Sequence, residues 1–105
     1  MLFIYYIADM KELRRTLRFD TWLKGLKDPQ AQARIQTRLD RLEDGNPGWV
    51  EPVGEGVSEL KIDYGPGYRV YFCERGDVLV IMLAGGNKKT QQRDIRDALE
   101  LARHV

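Results

Sequence analysis

This chain of 105 residues has one cysteine, one histidine and almost no net charge. Each of these features excludes a class of protein. A single cysteine cannot form an internal disulfide, and one cysteine with one histidine cannot build a Cys/His zinc cluster. We therefore expect a protein of the reducing cytoplasm that needs no metal or other cofactor. Because 17 basic side chains nearly balance 16 acidic ones, overall charge does not attract nucleic acid, and phosphate recognition requires a local cluster of cations.

Long hydrophobic runs are absent too. The apolar run at residues 2–8 is too short to span a bilayer, and it lacks the basic start and the cleavage site of a signal peptide. We therefore expect no membrane partner. A chain of this length with 43% hydrophobic and 31% charged residues has the composition of a single globular domain over residues 1–105.

Helix signals follow one short strand in the first half of the chain. Residues 12–19 alternate apolar and charged side chains, which predicts a strand exposed on one side. Asp20 or Thr21 is then placed to cap a short helix. Asp28 caps a second helix, which has a proline at its first position and ends before Gly45. The apolar face of this second helix consists of Ala31, Ile35, Leu39 and Leu42.

The second half of the chain has the pattern of a sheet followed by a helix. Strands are predicted at residues 49–53, 57–64, 68–74 and 78–84. The first contains Pro52 and is expected at an edge, whereas the last is an unbroken apolar run expected at the sheet centre with both faces covered. Thr90 is placed to cap a last helix. The predicted fold class is α+β, with helices packed on one side of a mostly antiparallel sheet.

Hairpin geometry predicts which side chains meet on this sheet. If residues 65–67 form a three-residue loop, Asp63 faces Arg69 and Lys61 faces Tyr71, on the face opposite the apolar one. If Arg75-Gly76 is a two-residue turn, the next strand places Met82 beside Arg69, and that strand ends at Gly85-Gly86.

Lys88 follows that double glycine and is therefore expected near Lys61 and Arg69, with Tyr71 on the same open face. Two interpretations remain open. The cations are either solvated surface residues, with Asp63 neutralising Arg69, or they form a clamp for phosphate, in which arginine supplies planar paired donors and lysine a mobile charge.

Three further features have two interpretations each. Arg34, Arg38 and Arg41 form a helical stripe that is either a solvated face or a docking surface for nucleic acid or an acidic partner. Trp49 follows a Gly-Asn-Pro-Gly turn, where it is either an exposed contact residue or part of the packed fold. Asp94 is either a favourable first-turn carboxylate of the last helix or a member of the site.

Motifs along nearly nine tenths of the chain carry a family resemblance. They include Phe19-Asp20-Thr21-Trp22-Leu23, the stretch 53–60, Gly67-Tyr68-Arg69-Val70-Tyr71-Phe72, Gly85-Gly86-Asn87-Lys88 and Thr90-Gln91. In this order they resemble the RelE/ParE superfamily of type II toxin–antitoxin toxins, particularly its HigB-like "addiction module killer protein" branch.

The resemblance implies two N-terminal helices and a C-terminal helix packed on a mostly antiparallel twisted sheet. It implies a cognate antitoxin, usually a helix-turn-helix protein in this branch, bound in a toxin–antitoxin hetero-oligomer. RelE-like members cleave mRNA in the ribosomal A site, whereas ParE-like members poison DNA gyrase without nuclease activity. A third possibility is a non-catalytic module that acts only with its antitoxin.

The roles of Arg69, Lys61 and Lys88 follow by position from the ribonuclease members, and further substrate contacts are expected around them. Arg69 is expected to stabilise charge while the ribose 2′-OH attacks the phosphate without a metal, and Lys61 and Lys88 assist. Tyr71 is expected to orient or stack on a base, and Lys89 and Arg38 to contact the substrate. The general acid and base stay unassigned.

The first nine residues fall outside the resemblance. Relatives typically begin near Met10, so we expect residues 1–9 to be an extension or a mis-set start.

Overall fold

The fold is known from a computed structural model that describes residues 11–105, so the prediction for residues 1–9 lies outside the described part. Five strands form one sheet: β1 (Glu12–Arg15), β2 (Val50–Gly54), β3 (Val57–Ile62), β4 (Tyr68–Arg75) and β5 (Leu79–Gly86). Their order is β1-β5-β4-β3-β2, antiparallel except that β1 runs parallel to β5. The helices are α1 (Leu17–Gly25), α2 (Pro29–Glu43) and α3 (Gln91–Ala102), and a 3₁₀ turn spans Lys88–Thr90.

The first helix begins earlier than predicted. Strand β1 ends at Arg15, and Thr16 caps α1 with its hydroxyl accepting a hydrogen bond from the Phe19 N–H at 3.0 Å. The same hydroxyl donates to the Leu83 carbonyl at 2.7 Å, which ties the cap to β5. The prediction of Asp20 or Thr21 as cap is therefore wrong, because the alternating pattern continues into the first turn of the helix.

The second helix forms as predicted. The Asp28 carboxylate accepts hydrogen bonds from the Gln30 N–H at 2.9 Å and the Ala31 N–H at 3.3 Å, and proline occupies the first turn, where no donor is needed. The chain leaves the helix through Gly45 at φ +81°. Its predicted apolar face is buried in full: Ala31, Ile35, Leu39 and Leu42.

Helices cover both faces of the sheet, which corrects the prediction of helices on one side. Helices α1 and α2 pack on the face that carries Val70 and Met82, and α3 packs on the face that carries Tyr71 and Leu83. Strand β5 lies between β1 and β4, and its unbroken apolar run contributes to both cores, as predicted. Strand β2 is the predicted edge strand. Within the described residues, no helix is both long enough and apolar enough to cross a membrane.

The pairing register of the hairpins differs from the prediction, but the side chains lie on the predicted faces of the sheet. Lys61 pairs directly with Arg69, because the loop between β3 and β4 spans residues 63–67 rather than 65–67. This is a slip of two positions, and side chains alternate with a period of two, so each residue stays on its predicted face. Arg69 pairs with Gly86 instead of Met82, because the β4–β5 turn is longer than two residues and a bulge follows Tyr71.

Gly85 is expected to be intolerant of a side chain. A Cβ placed there would lie 2.2–2.7 Å from three atoms of the Trp22 ring, which itself packs against Phe19 and Tyr68. We expect Gly85→Ala to lower the free energy of unfolding by about 1–3 kcal/mol, because the indole must shift inside a packed layer. Urea unfolding measures this, with Gly25→Ala as the control, since a Cβ at Gly25 meets no atom of the described residues within 4 Å. Equal stability of the two variants would contradict the packing described.

Candidate functional site

A cavity of about 570 Å³ lies where α2, the loop before β2 and the ends of β3 and β4 meet. Among residues 11–105, the charged side chains that line it are one acid, Asp63, and five cations: Arg38, Arg41, Lys61, Arg69 and Lys88. The structure therefore brings together the three cations that hairpin geometry placed near one another, and it adds Arg38 and Arg41 to them. A local excess of positive charge lies inside a chain that is nearly neutral overall.

The sheet register produces this convergence. Lys61 and Arg69 are cross-strand partners on β3 and β4, and Arg69 is in turn the partner of Gly86 at the end of β5. The chain then returns beside the β3–β4 loop, where a Cβ on Gly67 would lie 3.6 Å from the Lys88 Cβ. Lys88 is thus held near Arg69 by backbone geometry.

Arg69 has a different partner from the one predicted. Its Nε lies 2.6 Å from Oε1 of Glu59, which is 3% exposed, whereas Asp63 belongs to the loop and makes no ion pair with Arg69. The Gln91 side chain on α3 donates to the same Glu59 oxygen at 3.1 Å. The Arg69–Glu59 contact lacks hydrogen-bond alignment, so Nε and Nη1 of the guanidinium have no hydrogen-bond partner within residues 11–105. Both nitrogens are themselves buried, so these unsatisfied donors lie in the interior beside Glu59 and are not open to the cavity.

Lys61 is held at the cavity by two contacts. Its Nζ lies 3.5 Å from Oε2 of Glu51 on β2 and 5.0 Å from the centre of the Trp49 ring. About a third of the side chain is exposed. Lys61 therefore bridges the edge strand and the exposed indole while its ammonium remains accessible from the cavity.

Arg38 connects α2 to the loop and the sheet. Its Nη1 donates to the Lys61 carbonyl at 2.7 Å, and its Nη2 donates to the Pro47 carbonyl at 3.2 Å. Burial first, and then the charge of Arg41, lower the pKa of Arg38, but a guanidinium stays protonated in proteins. Arg38 thus connects the parts of the chain that form the wall of the cavity. Its expected contact with the substrate stays a prediction.

Tyr71 does not lie on an open face, and its expected stacking on a base is wrong for this conformation. Helix α3 covers the residue, which is 0% exposed. Burial, followed by the carboxylates of Glu59 and Asp94, raises the pKa of Tyr71 far above its usual value, against the opposing effect of Arg69. The alternating strand pattern correctly placed Tyr71 on the face opposite Val70 and Met82. It could not indicate that a helix covers the face that carries Tyr71.

The Tyr71 hydroxyl is expected to be dispensable. It is buried without a hydrogen-bond partner among the described residues, and an unsatisfied buried polar group is costly. We expect Tyr71→Phe to leave the free energy of unfolding unchanged or to raise it by about 1 kcal/mol. Urea unfolding measures this. A loss of several kcal/mol would mean that the hydroxyl has a hydrogen-bond partner.

Lys89 lies apart from the cavity that contains Arg69. It lines a second depression of about 480 Å³ at the start of α3, with Lys88, Arg93 and Arg96. Lys88 lines both cavities, so cationic side chains continue from one to the other.

The carboxylates of Glu59 and Asp94 are both buried, which the sequence did not indicate. Asp94 lies in the first turn of α3, as predicted, but it is only 1% exposed and accepts a hydrogen bond from the Thr90 hydroxyl. Its Oδ1 also lies 3.4 Å from Nη2 of Arg18 on α1. The double glycine was the available signal, because a Cβ at Gly86 would collide with the Asp94 carboxylate. Within residues 11–105, no cluster of three or more His, Cys, Asp or Glu side chains could hold a metal ion.

Comparison with known proteins gives the family. The model of the phage-derived protein Gp49-like family matches residues 21–104. The chain belongs to this family. An uncharacterized protein of Haemophilus influenzae is 47% identical over 94 residues, covering 90% of this chain and 95% of that protein.

A solved structure gives the fold. A double mutant of the Escherichia coli toxin RelE in the free state superimposes with a TM-score of 0.71 over 87% of this chain and 96% of RelE. The two sequences are 14% identical, so this likeness concerns the fold. Together with the Gp49-like family it confirms the predicted RelE/ParE superfamily and the α+β fold class, while the HigB-like branch stays a prediction.

Proposed function

We propose that this Gp49-like protein is the toxin of a type II toxin–antitoxin system and that it cleaves mRNA at the ribosome. The observation that supports the proposal is the convergence of Lys61, Arg69 and Lys88 on one cavity, in a chain whose overall charge is nearly neutral. Cations concentrated in this way fit a polyanionic substrate, and the structural likeness to the toxin RelE favours a toxin.

The proposed chemistry is attack of a ribose 2′-OH on the adjacent phosphorus. A bond forms between the 2′-oxygen and phosphorus, the bond to the 5′-oxygen breaks, and negative charge builds up on the phosphorane oxygens between these events. Arg69 would stabilise that charge with its planar donors, and Lys61 and Lys88 would add positive charge around it. The products are a 2′,3′-cyclic phosphate and a 5′-hydroxyl. One proton must leave the 2′-OH and another must reach the 5′-oxygen, which assigns no residue by itself.

A toxin of this kind needs a partner that neutralises it. We expect a cognate antitoxin, a helix-turn-helix protein whose gene neighbours this one, in a hetero-oligomer in the cytoplasm. Such an antitoxin would block the proposed activity most directly by covering the cation-lined cavity or by displacing Arg69 from Glu59.

Induced expression without the antitoxin tests the function. Growth should stop, and mapping of the 5′ ends of cellular RNA should reveal new cuts within translated reading frames. Intact messages accompanied by double-strand DNA breaks would instead identify a gyrase poison. Unimpaired growth at high expression would contradict a toxin, and the remaining interpretation would be a binding module that acts only with its antitoxin.

A further inference from the structure

Trp49 is exposed at the rim of the cation-lined cavity. The residue is 67% exposed, and it lines this cavity with Lys61 and Arg69. Large aromatic side chains contribute strongly to binding when a partner covers them, and single-stranded nucleic acid offers a flat surface for this purpose in every base. An indole at this place can thus bind a base, whereas the cations of the cavity bind phosphate.

The backbone that leads into Trp49 is held by neighbouring residues. Gly48 adopts φ +80°, a conformation that favours glycine, and a Cβ there would lie 3.3 Å from Nη2 of Arg38. Arg38 holds the preceding Pro47 carbonyl and also the Lys61 carbonyl, so the loop is attached to both α2 and β3. Because the backbone that leads into Trp49 is held next to the sheet, ordering this loop on binding costs less than ordering a free loop.

Lys61 links the indole to the phosphate-binding cations. Its ammonium lies 5.0 Å from the Trp49 ring centre, in cation–π range, and its strand neighbour is Arg69. A nucleotide whose phosphate is held between Lys61 and Arg69 would therefore have its own base, or that of its neighbour, beside Trp49.

We propose that Trp49 is a stacking platform for one unpaired base next to the scissile phosphate, an inference that rests on the proposed function. The occupant is single-stranded RNA rather than a protein partner, because the charged neighbours of the indole in the cavity are mainly cations: Arg38, Arg41, Lys61 and Lys88. Stacking on an indole accepts any base, so Trp49 would fix the position of cleavage without imposing a sequence.

Single-turnover cleavage on ribosomes programmed with a short message tests the platform. The two nucleotides that flank the scissile phosphate are replaced, one at a time, by abasic residues. We expect Trp49→Ala to slow cleavage of the natural message roughly 5- to 150-fold, and Trp49→Phe to retain most of the rate. At one of the two abasic positions, wild type and Trp49→Ala should cleave equally slowly, because the stacking partner is already gone.

Leu17→Ala is the matched control, since Leu17 is an exposed apolar residue, 83% exposed, that does not line the cavity. It should cleave all messages at the wild-type rate. If wild type cleaves and Trp49→Ala loses the same factor on natural and abasic messages, the platform is wrong while the proposed nuclease function stands. If Trp49→Ala cleaves normally but loses affinity for the antitoxin, Trp49 is a protein contact, and the stacking proposal is overturned. If wild type cleaves no programmed message, the proposed function fails and the platform fails with it.

Discussion

Replacing Arg69 with lysine is expected to reduce RNA cleavage by about 10²–10³-fold, the effect of removing one well-placed donor from a charge-stabilising site. The substitution keeps a positive charge beside Glu59 but removes the planar guanidinium, whose paired donors match phosphate oxygens better than the point charge of an ammonium does. The cleavage rate on programmed ribosomes measures the effect, and growth on induction gives the corresponding result in cells.

Arg103→Lys is the control for that substitution, because Arg103 makes an exposed ion pair with Glu55 outside the cavity. It should cleave at the wild-type rate. If Arg69→Lys folds normally and cleaves within about threefold of wild type, a value far below the expected loss, Arg69 is not the charge-stabilising residue. If Lys61, Arg69 and Lys88 can be replaced together without relieving growth arrest, the toxin acts by another route, such as on gyrase.

Loss of the Glu59 carboxylate is expected to be the most destabilising single change in the site. Glu59 is 3% exposed and its partner Arg69 has a side chain 12% exposed, so Glu59→Gln would leave a nearly buried guanidinium without its counter-charge. Breaking a buried ion pair in this way costs about 3–5 kcal/mol. We expect urea unfolding to show a loss of that size.

Glu55→Gln provides the comparison, since its ion pair with Arg103 is about half exposed and, like most surface ion pairs, contributes little to stability. The double variant Glu59→Leu with Arg69→Met should be more stable than Glu59→Leu alone, because it removes both charges from the interior. If the free energy of unfolding of Glu59→Gln lies within 1 kcal/mol of the wild-type value, water or a movement of the side chain must stabilise the charge of Arg69, contrary to the geometry described.

Local patterns predicted the helices and the faces of the strands well. Asp28-Pro29 contains its own capping chemistry, so α2 could be placed from a few residues. The faces of β3 and β4 survived an error of two positions in register because an even slip returns each side chain to the same side. The cap of α1 was missed because the alternating strand pattern continues past Thr16 into the first turn of the helix.

The convergence of the three cations was predicted in outline, while their roles stay predictions, and the errors around them have a common physical cause. Lys61, Arg69 and Lys88 were brought together correctly by strand period and turns, and the structure places them on one cavity. Tyr71 was assigned to an open face because a strand pattern does not state which element packs on it. The Arg69–Glu59 pair was missed for a related reason, since Asp63 seemed the partner only under a loop two residues shorter than the real one.

The chemistry of the RNA ends tests the central proposal most directly. Purified protein is incubated with programmed ribosomes, and the downstream fragments are treated with polynucleotide kinase with and without prior phosphatase. Attack by the 2′-OH predicts that the fragments carry a 5′-hydroxyl and accept phosphate without phosphatase, while the upstream fragments end in a 2′,3′-cyclic phosphate. Fragments with a 5′-phosphate, or messages that remain intact beside an active toxin, would contradict a phosphate-cleaving site built on Lys61, Arg69 and Lys88.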